Sequence, residues 1–294
     1  MLPRAFALKG DNMEFRRDTL YVTDLDGTLL DGGAHLPPRA LEMLNEMLDN
    51  GLALSVATAR SWSSAAPILQ GLHLRCPLVG YNGAFLVDPA TGRDIERCLL
   101  SEEQKRIVLE EYLRCGVSPM VYAMVDGAQK VSWLRSRESD GIRRYARSRA
   151  GDPRLNPVDT EGELCRGDVF YFSALGTHDA LAPAEPGLAA LDFARVHFAA
   201  DTYDKEEYWL ETARADATKA EGVRKLRAIT GRSRIVCFGD NLNDLPMFSV
   251  ADECYAVANA APEVRAAATG VLPSNEELGV PRFLWAIGEG KHEI

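Results

Sequence analysis

Residues 20–30 read Leu-Tyr-Val-Thr-Asp-Leu-Asp-Gly-Thr-Leu-Leu, and this stretch decides the fold. A short run of apolar and β-branched residues leads directly into two carboxylates, Asp24 and Asp26. Such a run is typical of a strand buried on both faces, as in a parallel sheet. Gly27 allows the chain to turn there, and Thr28 can cap the next element. Because burying two carboxylates is costly unless a cation or hydrogen bonds compensate, the stretch predicts a strand that ends at a charged site.

The same pattern recurs along the chain and predicts the fold class. Further apolar runs end in polar residues at 52–57, 77–81, 235–238 and 255–258. Apolar residues at helical spacing lie between these runs, at 38–50 and 218–230. Alternating strands and helices predict an α/β fold with a doubly wound, mostly parallel (Rossmann-like) sheet. Because ligands bind at the carboxyl ends of such strands, the polar residues there are expected to converge on one site.

The middle of the chain has a different pattern from its two ends. Strand-like runs cluster there with few helices, and Asp126-Gly127 favours a hairpin turn. We therefore predict an α+β domain at residues 86–212, inserted into a core that is formed by residues 1–85 and 213–294.

Composition limits the classes of ligand. The chain has 294 residues and a formal net charge of −10, which argues against nucleic acid and anionic membranes as main partners. A small phosphorylated metabolite remains compatible, since a metal ion and a few cations can hold one phosphate. Six cysteines without a C-x-x-C pair favour reduced thiols. Residues 1–17 lack the apolar core of a signal peptide and no run is long enough to span a membrane, so we expect a cytoplasmic protein.

A second acidic stretch, residues 239–248, reads Gly-Asp-Asn-Leu-Asn-Asp-Leu-Pro-Met-Phe. Carboxylate and amide oxygens clustered after a strand suit Mg²⁺, a hard cation that prefers oxygen ligands. An EF-hand calcium loop is excluded, because Leu242 occupies its third position and its sixth position lacks glycine. The stretch therefore predicts a magnesium site near Asp240.

These two stretches resemble motifs of the haloacid dehalogenase superfamily. Residues 24–28 match the pattern Asp-x-Asp-Gly-Thr, and residues 239–244 match Gly-Asp-x-x-Asn-Asp. The resemblance implies that Asp24 is a nucleophile and that Asp26 is a general acid and base. It also implies a set of Mg²⁺ ligands, with the last two completing or orienting the coordination: Asp24, the main-chain carbonyl of Asp26, Asp240, Asn243 and Asp244.

Two weaker motifs accompany them. Ser-Val-Ala-Thr-Ala-Arg at residues 55–60 resembles the family's second motif, which implies that Thr58 bonds the transferring phosphoryl group. The family often has Thr-Gly-Arg there, and Ala59 departs from that pattern. Lys219 precedes Asp240 by twenty-one residues, at the start of the predicted helix. This position resembles that of the family's third-motif lysine, which implies that Lys219 offsets charge between nucleophile and phosphate. Lys225 is a rival for this role, but it lies deeper in the predicted helix.

The position of the insertion indicates a subclass. Only about thirty residues separate Asp24 from Thr58, so no domain fits between them. An insertion after Asn82 resembles the type C2 cap of Cof-type members, which also have the sequence Asn-Gly-Ala found here at residues 82–84. Asn82 either touches the substrate or shapes the turn, and the sequence leaves both interpretations open.

The resemblance implies a Mg²⁺-dependent phosphatase that hydrolyses a small phosphomonoester through an aspartyl-phosphate. A sugar phosphate or a phosphorylated cofactor, such as pyridoxal phosphate or a flavin nucleotide, lies within the family's range. Four residues would contact the substrate: Thr58, Asn82, Lys219 and Asn243. A phosphomutase and a non-catalytic phospho-ligand sensor are the alternatives, and the intact acid pair argues against the sensor. The oligomeric state stays open.

Overall fold

The computed structural model describes residues 13–201 and 206–291, which divide into two compact units. Unit 1 is formed by the two ends of the chain, up to Glu96 and from Thr218 onward. Unit 2 is Arg97–Ala217. Residues 1–17 show no signal-peptide pattern in the sequence, and residues 1–12 of that segment lie outside the described residues. No helix in the described ranges is both long and apolar enough to cross a membrane.

Strands and helices alternate through unit 1, as the sequence predicts. In chain order, the strands of the whole molecule are β1 (Thr19–Thr23), β2 (Leu54–Val56), β3 (Leu78–Gly80), β4 (Phe85–Val87), β5 (Asp94–Arg97), β6 (Met120–Val125), β7 (Ala128–Leu134), β8 (Leu155–Val158), β9 (Asp168–Gly176), β10 (Ala194–Ala200), β11 (Tyr208–Arg214), β12 (Arg234–Gly239), β13 (Glu253–Val257) and β14 (Gly270–Leu272). The helices are α1 (Pro38–Asp49), α2 (Trp62–Ala65), α3 (Glu102–Arg114), α4 (Asp140–Ser148), α5 (Glu161–Leu164), α6 (His178–Leu181), α7 (Glu185–Ala189), α8 (Lys219–Thr230), α9 (Leu245–Phe248), α10 (Pro262–Ala267) and α11 (Gly279–Gly288).

The core of unit 1 is a five-stranded sheet in the order β14-β13-β12-β1-β2, and every pairing in it is parallel. Strand β1 is fully buried between β12 and β2, which explains its uninterrupted apolar run. Because Thr23 pairs with Phe238, the residues that follow these two strands emerge side by side at one edge. The sheet confirms the predicted α/β fold with a mostly parallel, Rossmann-like core.

Helix boundaries in unit 1 follow local signals. Helix α1 has Pro38 at its first position, where the missing N–H costs nothing, and Gly51 follows it with φ of +98°. Thr218 caps α8 by accepting a hydrogen bond from the Glu221 amide, and Gly231 ends that helix in the left-handed conformation. Lys219 is therefore the first residue of α8.

The boundaries between the units differ from the predicted ones at residues 86 and 212. Strand β4 pairs antiparallel with β3 in a small sheet that also contains β5, so the chain stays in unit 1 up to Glu96. A main-chain bridge between Ala57 and Val79 links this small sheet to the end of β2. The return to unit 1 comes at Thr218, where α8 begins.

Unit 2 has its own sheet and its own core. Its six strands lie in the order β10-β11-β9-β6-β7-β8, antiparallel except for the β7–β8 pair. Buried side chains of α3 and of the sheet, among them Val108, Tyr112 and Phe172, pack in one apolar cluster. Helices α6 and α7 follow each other directly, joined by a 3₁₀ turn at Ala182–Ala184, and Pro183 and Pro186 each lie in the first turn of a helical segment, where proline is tolerated.

Candidate active site

Asp24 lies at the carboxyl end of β1 and is almost completely buried. Its main-chain N–H donates to the Phe238 carbonyl at 3.0 Å, which continues the β1–β12 ladder by one residue. The Lys219 Nζ, at the start of α8, donates to Asp24 Oδ1 at 2.6 Å. A buried ammonium group thus holds one oxygen of the carboxylate, while Oδ2 accepts no hydrogen bond from the described residues.

The ammonium group of Lys219 donates hydrogen bonds to two carboxylates at once. Its Nζ also donates to Asp244 Oδ1 at 2.7 Å, and both side chains are fully buried. Burial lowers the pKa of Lys219, but the attraction of Asp24 and Asp244 outweighs it and raises that pKa above its usual value. The lysine is therefore charged at neutral pH, and it supplies one positive charge to a site that contains three carboxylates.

Asp240 and Asp244 are held in different ways within the loop after β12. Asp240 Oδ1 accepts a hydrogen bond from the Thr28 hydroxyl at 2.9 Å. Asp244 Oδ2 accepts from the amides of Asp240 and Asn241 at 2.9 and 3.0 Å, while its Oδ1 is held by Lys219. Both Asp244 oxygens thus have partners, which suits a residue that orients its neighbours.

Gly27 explains how the two acidic loops approach each other. Its φ is +76°, a conformation that favours glycine, and a Cβ there would lie 2.4 Å from Asp240 Oδ2. A side chain at residue 27 would therefore displace the Asp240 carboxylate. Glycine at residue 27 is therefore needed for the close approach of the Asp240 carboxylate as well as for the turn.

Three carboxylates, those of Asp24, Asp240 and Asp244, each offer an oxygen within 4.8 Å of the others. Burial raises the pKa of Asp24 to about 7, against the opposing charge of Lys219. Burial likewise raises the pKa of Asp240 to about 6, against the hydrogen bond from Thr28. The neighbouring carboxylates also repel one another, which raises both pKa values further. A divalent cation would relieve this repulsion, and an all-oxygen donor set fits Mg²⁺.

Asp26 is positioned differently from Asp24. Its side chain is half-exposed and points to Arg60, whose Nε donates to Asp26 Oδ2 at 2.7 Å while Nη2 pairs with Oδ1. The side chain lies outside the cluster of three carboxylates. The implied roles of Asp26, with its carboxyl as acid and base and its carbonyl as metal ligand, stay predictions.

Hydrogen bonds link the remaining predicted residues. Thr58 is fully buried, its Oγ1 accepts from the Arg60 amide at 3.1 Å, and its carbonyl accepts from the Asn82 amide at 2.9 Å. Asn243 Nδ2 donates to Asn82 Oδ1 at 3.1 Å. Asn82 is in the left-handed region with φ of +54°, so it shapes the turn, and its contact with substrate stays a prediction.

Residues outside the predicted set also hold the site together. Asn259 Nδ2 donates to the Gly27 carbonyl at 2.7 Å, and Asn259 Oδ1 accepts from the Asn275 amide at 3.1 Å. Asn275 Nδ2 in turn donates to the Leu30 carbonyl at 2.8 Å. Asn259 could be found from the sequence because it follows the last apolar run, whereas no pattern marks Asn275.

Known proteins resemble this chain over most of its length. A family model described as haloacid dehalogenase-like hydrolase matches residues 21–284. A curated relative, 5-amino-6-(5-phospho-D-ribitylamino)uracil phosphatase YitU of Bacillus subtilis, is 26% identical over 90% of this chain and 96% of its own. Pyridoxal phosphate phosphatase YbhA of Escherichia coli is 24% identical over 90% and 96%.

The solved structure of TM0651 from Thermotoga maritima resembles this chain with a TM-score of 0.73. It is 24% identical and covers 90% of this chain and 96% of its own, so the likeness speaks for the fold alone. The family match, by contrast, runs from the central strand β1 into the last helix, α11, and so includes both acidic loops. The chain therefore belongs to the haloacid dehalogenase-like hydrolases, which confirms the predicted family and its phosphatase class of enzyme.

Proposed function

We propose that the protein is a Mg²⁺-dependent phosphatase that hydrolyses a small phosphomonoester through an aspartyl-phosphate on Asp24. One observation carries the proposal: Asp24 is buried, has one oxygen held by Lys219, and keeps the other without a partner among the described residues. A carboxylate held in this way has a fixed oxygen available to attack phosphorus.

Two displacements make up the reaction. In the first, an Asp24 oxygen forms a bond to phosphorus, the ester P–O bond breaks, and the leaving oxygen takes a proton from Asp26. In the second, a water oxygen attacks phosphorus and gives a proton to Asp26, and the bond to Asp24 breaks. Covalent catalysis thus divides one difficult displacement into two easier ones.

Nearby groups can stabilise the charge of the phosphoryl group. Lys219 offsets the charge of Asp24 as the anionic substrate approaches. The Thr58 oxygen accepts from the Arg60 amide, so its own hydrogen is available to donate to a phosphoryl oxygen. Mg²⁺, when bound, supplies further charge neutralisation. Its proposed ligands are Asp24, Asp240 and the Asp26 carbonyl, with Asn243 and Asp244 completing or orienting the set.

The relatives indicate the class of substrate. The relatives named above are a phosphatase of a phosphorylated ribitylaminouracil and a phosphatase of pyridoxal phosphate. We propose that this protein likewise acts on a sugar phosphate or a phosphorylated cofactor of comparable size. We also propose a cytoplasmic location, which is favoured by six cysteines that form no disulfide.

The test of the proposal is the variant Asp24→Asn. Hydrolysis of p-nitrophenyl phosphate and of a panel of phosphorylated metabolites is expected to fall by several orders of magnitude, because an amide does not attack phosphorus. Rapid acid quenching with ³²P-labelled substrate should leave hydroxylamine-sensitive label on the wild-type protein and none on the variant.

The matched control is Asp18→Asn, which changes an exposed carboxyl just before the amino end of β1 and should leave turnover intact. Substantial phosphate release by Asp24→Asn would remove Asp24 as the nucleophile. Conversion of a sugar phosphate to its isomer, with little free phosphate, would indicate a mutase instead.

A further inference from the structure

Arg60 makes a two-point contact with Asp26. Its Nε donates to one carboxylate oxygen at 2.7 Å, and its Nη2 pairs with the other. A guanidinium that bonds both oxygens fixes the plane of the carboxylate as well as its position. The contact joins the loop after β1 to the loop after β2, two neighbouring strands of the parallel sheet.

The main chain of Arg60 is itself held in place by hydrogen bonds. The Arg60 amide donates to Thr58 Oγ1 at 3.1 Å, and the Arg60 carbonyl accepts from the Tyr81 amide at 3.0 Å. A Cβ on Gly80 would lie 3.3 Å from that carbonyl, so strand β3 packs tightly against it. The guanidinium therefore extends from a backbone that two neighbouring segments hold in place.

The Asp26 side chain is less enclosed by the protein than the side chains of the other acids. Asp24 and Asp244 are buried and held by Lys219, whereas the Asp26 side chain is 48% exposed. Within the described residues, Arg60 is the one side chain that bonds to it. Without the guanidinium, the Asp26 carboxyl would be free to change rotamer.

We propose that Arg60 is a positioning residue that holds the Asp26 carboxyl in the orientation needed for proton transfer. This inference rests on the proposed function, in which Asp26 gives a proton to the leaving oxygen and takes one from water. The two contacts use one lone pair on each carboxyl oxygen and leave the second to carry or receive that proton.

Leaving-group dependence provides the sharpest test. The value of kcat/KM covers formation of the aspartyl-phosphate, in which an alkoxide needs the proton from Asp26 and p-nitrophenolate does not. Arg60→Ala is expected to lower kcat/KM by about 100-fold for an alkyl ester such as glycerol phosphate, the effect of a misplaced catalytic group. The loss for p-nitrophenyl phosphate should be much smaller, and the inhibition constant of inorganic phosphate should stay within about twofold.

A double-mutant cycle shows whether Arg60 acts through Asp26. In an Asp26→Asn background, Arg60→Ala should cause no further loss for the alkyl ester. Arg60→Lys should recover part of the activity, because lysine keeps the charge but not the two-point contact. The control is Arg16→Ala, which removes a similar two-point arginine–aspartate contact, with Asp18, and should change neither substrate's kcat/KM.

Two results with Arg60→Ala would overturn the inference alone. Equal losses for both esters, with weaker inhibition by phosphate, would mean that Arg60 binds the phosphoryl group itself. Unchanged kinetics in Arg60→Ala, with turnover that still depends on Asp24, would remove Arg60 from the mechanism and leave the proposed function standing. Hydrolysis that survives Asp24→Asn would instead overturn the proposed function and the inference together. Circular dichroism melts of Arg60→Ala and Arg60→Lys distinguish loss of positioning from loss of folding.

Discussion

Lys219 is the residue on which the electrostatics of the site depend most. It is buried with two carboxylates bonded to its ammonium group, at 2.6 and 2.7 Å. Replacing one partner of a buried ion pair leaves charge without compensation, which is more costly than the pair itself is favourable.

Lys219→Met should therefore destabilise the protein although it keeps the length of the side chain. We expect the free energy of unfolding without metal to fall by about 3–5 kcal/mol at pH 8. Urea denaturation measures this change. Adding Asp244→Asn removes one of the two stranded charges and should restore part of the loss, and a further decrease would contradict this account.

Gly27 makes a second prediction at the residue scale. Gly27→Ala places a methyl group against Asp240 Oδ2 and strains a backbone with φ of +76°. We expect Mg²⁺ affinity, measured by calorimetric titration, to fall by about 10-fold or more. Gly51→Ala is the matched control, since Gly51 also has a positive φ but no atom within 4 Å of the added carbon. It should cost stability without changing metal affinity.

Strands β9, β10 and β11 of unit 2 place an acid in a partly buried position. Glu211 faces Ser173 on β9 and His197 on β10, and Tyr171 and Arg195 lie together in the next row on the same face of the sheet. Burial raises the pKa of Glu211, against the hydrogen bond from Tyr171 and the charges of His197 and Arg195.

The folded protein thus holds the Glu211 proton to a higher pH than the unfolded chain, whose glutamate titrates near 4.5. Between those two pKa values the folded state binds more protons, so this contribution to stability decreases as pH rises. Glu211→Gln should flatten that decrease, as measured by urea unfolding from pH 4.5 upward. A variant with the wild-type pH slope would show that Glu211 is not its source.

Elements with a strong local signal could be predicted closely, and the others could not. Helices α1 and α8 differ from their predicted ranges by one residue, because periodicity and glycine stops define them. Helix α3 was not predicted, although Ser101 and Gln104 form a capping box at its start. The acids of the site follow from sequence motifs, whereas Arg60 bonding to Asp26 depends on the paths of two loops.

The two units of the molecule differ in their relation to metal. The carboxylates proposed to bind Mg²⁺ belong to unit 1, while unit 2 has a separate apolar core. Mg²⁺ should therefore stabilise the full chain by about 2.7 kcal/mol at 100 times its Kd. EDTA should reverse the shift and stop turnover.

Isolated residues 97–217 should unfold cooperatively with no response to Mg²⁺, and calorimetry of both proteins measures the difference. A metal-dependent transition in the isolated unit would place a cation site outside the cluster described above. An isolated unit without a cooperative transition would contradict its independence.

The pairing of β1 with β12 has a consequence for how the protein is made. These neighbouring strands are separated by more than two hundred residues, and all of unit 2 is synthesised between them. On the ribosome, β1 and β2 emerge long before β12, the strand that pairs with the free edge of β1. Unit 2 can fold while that edge is still unpaired, so unit 1 is completed last. Mutations that slow the pairing of β12 with β1 should raise aggregation of nascent chains without altering the folded protein.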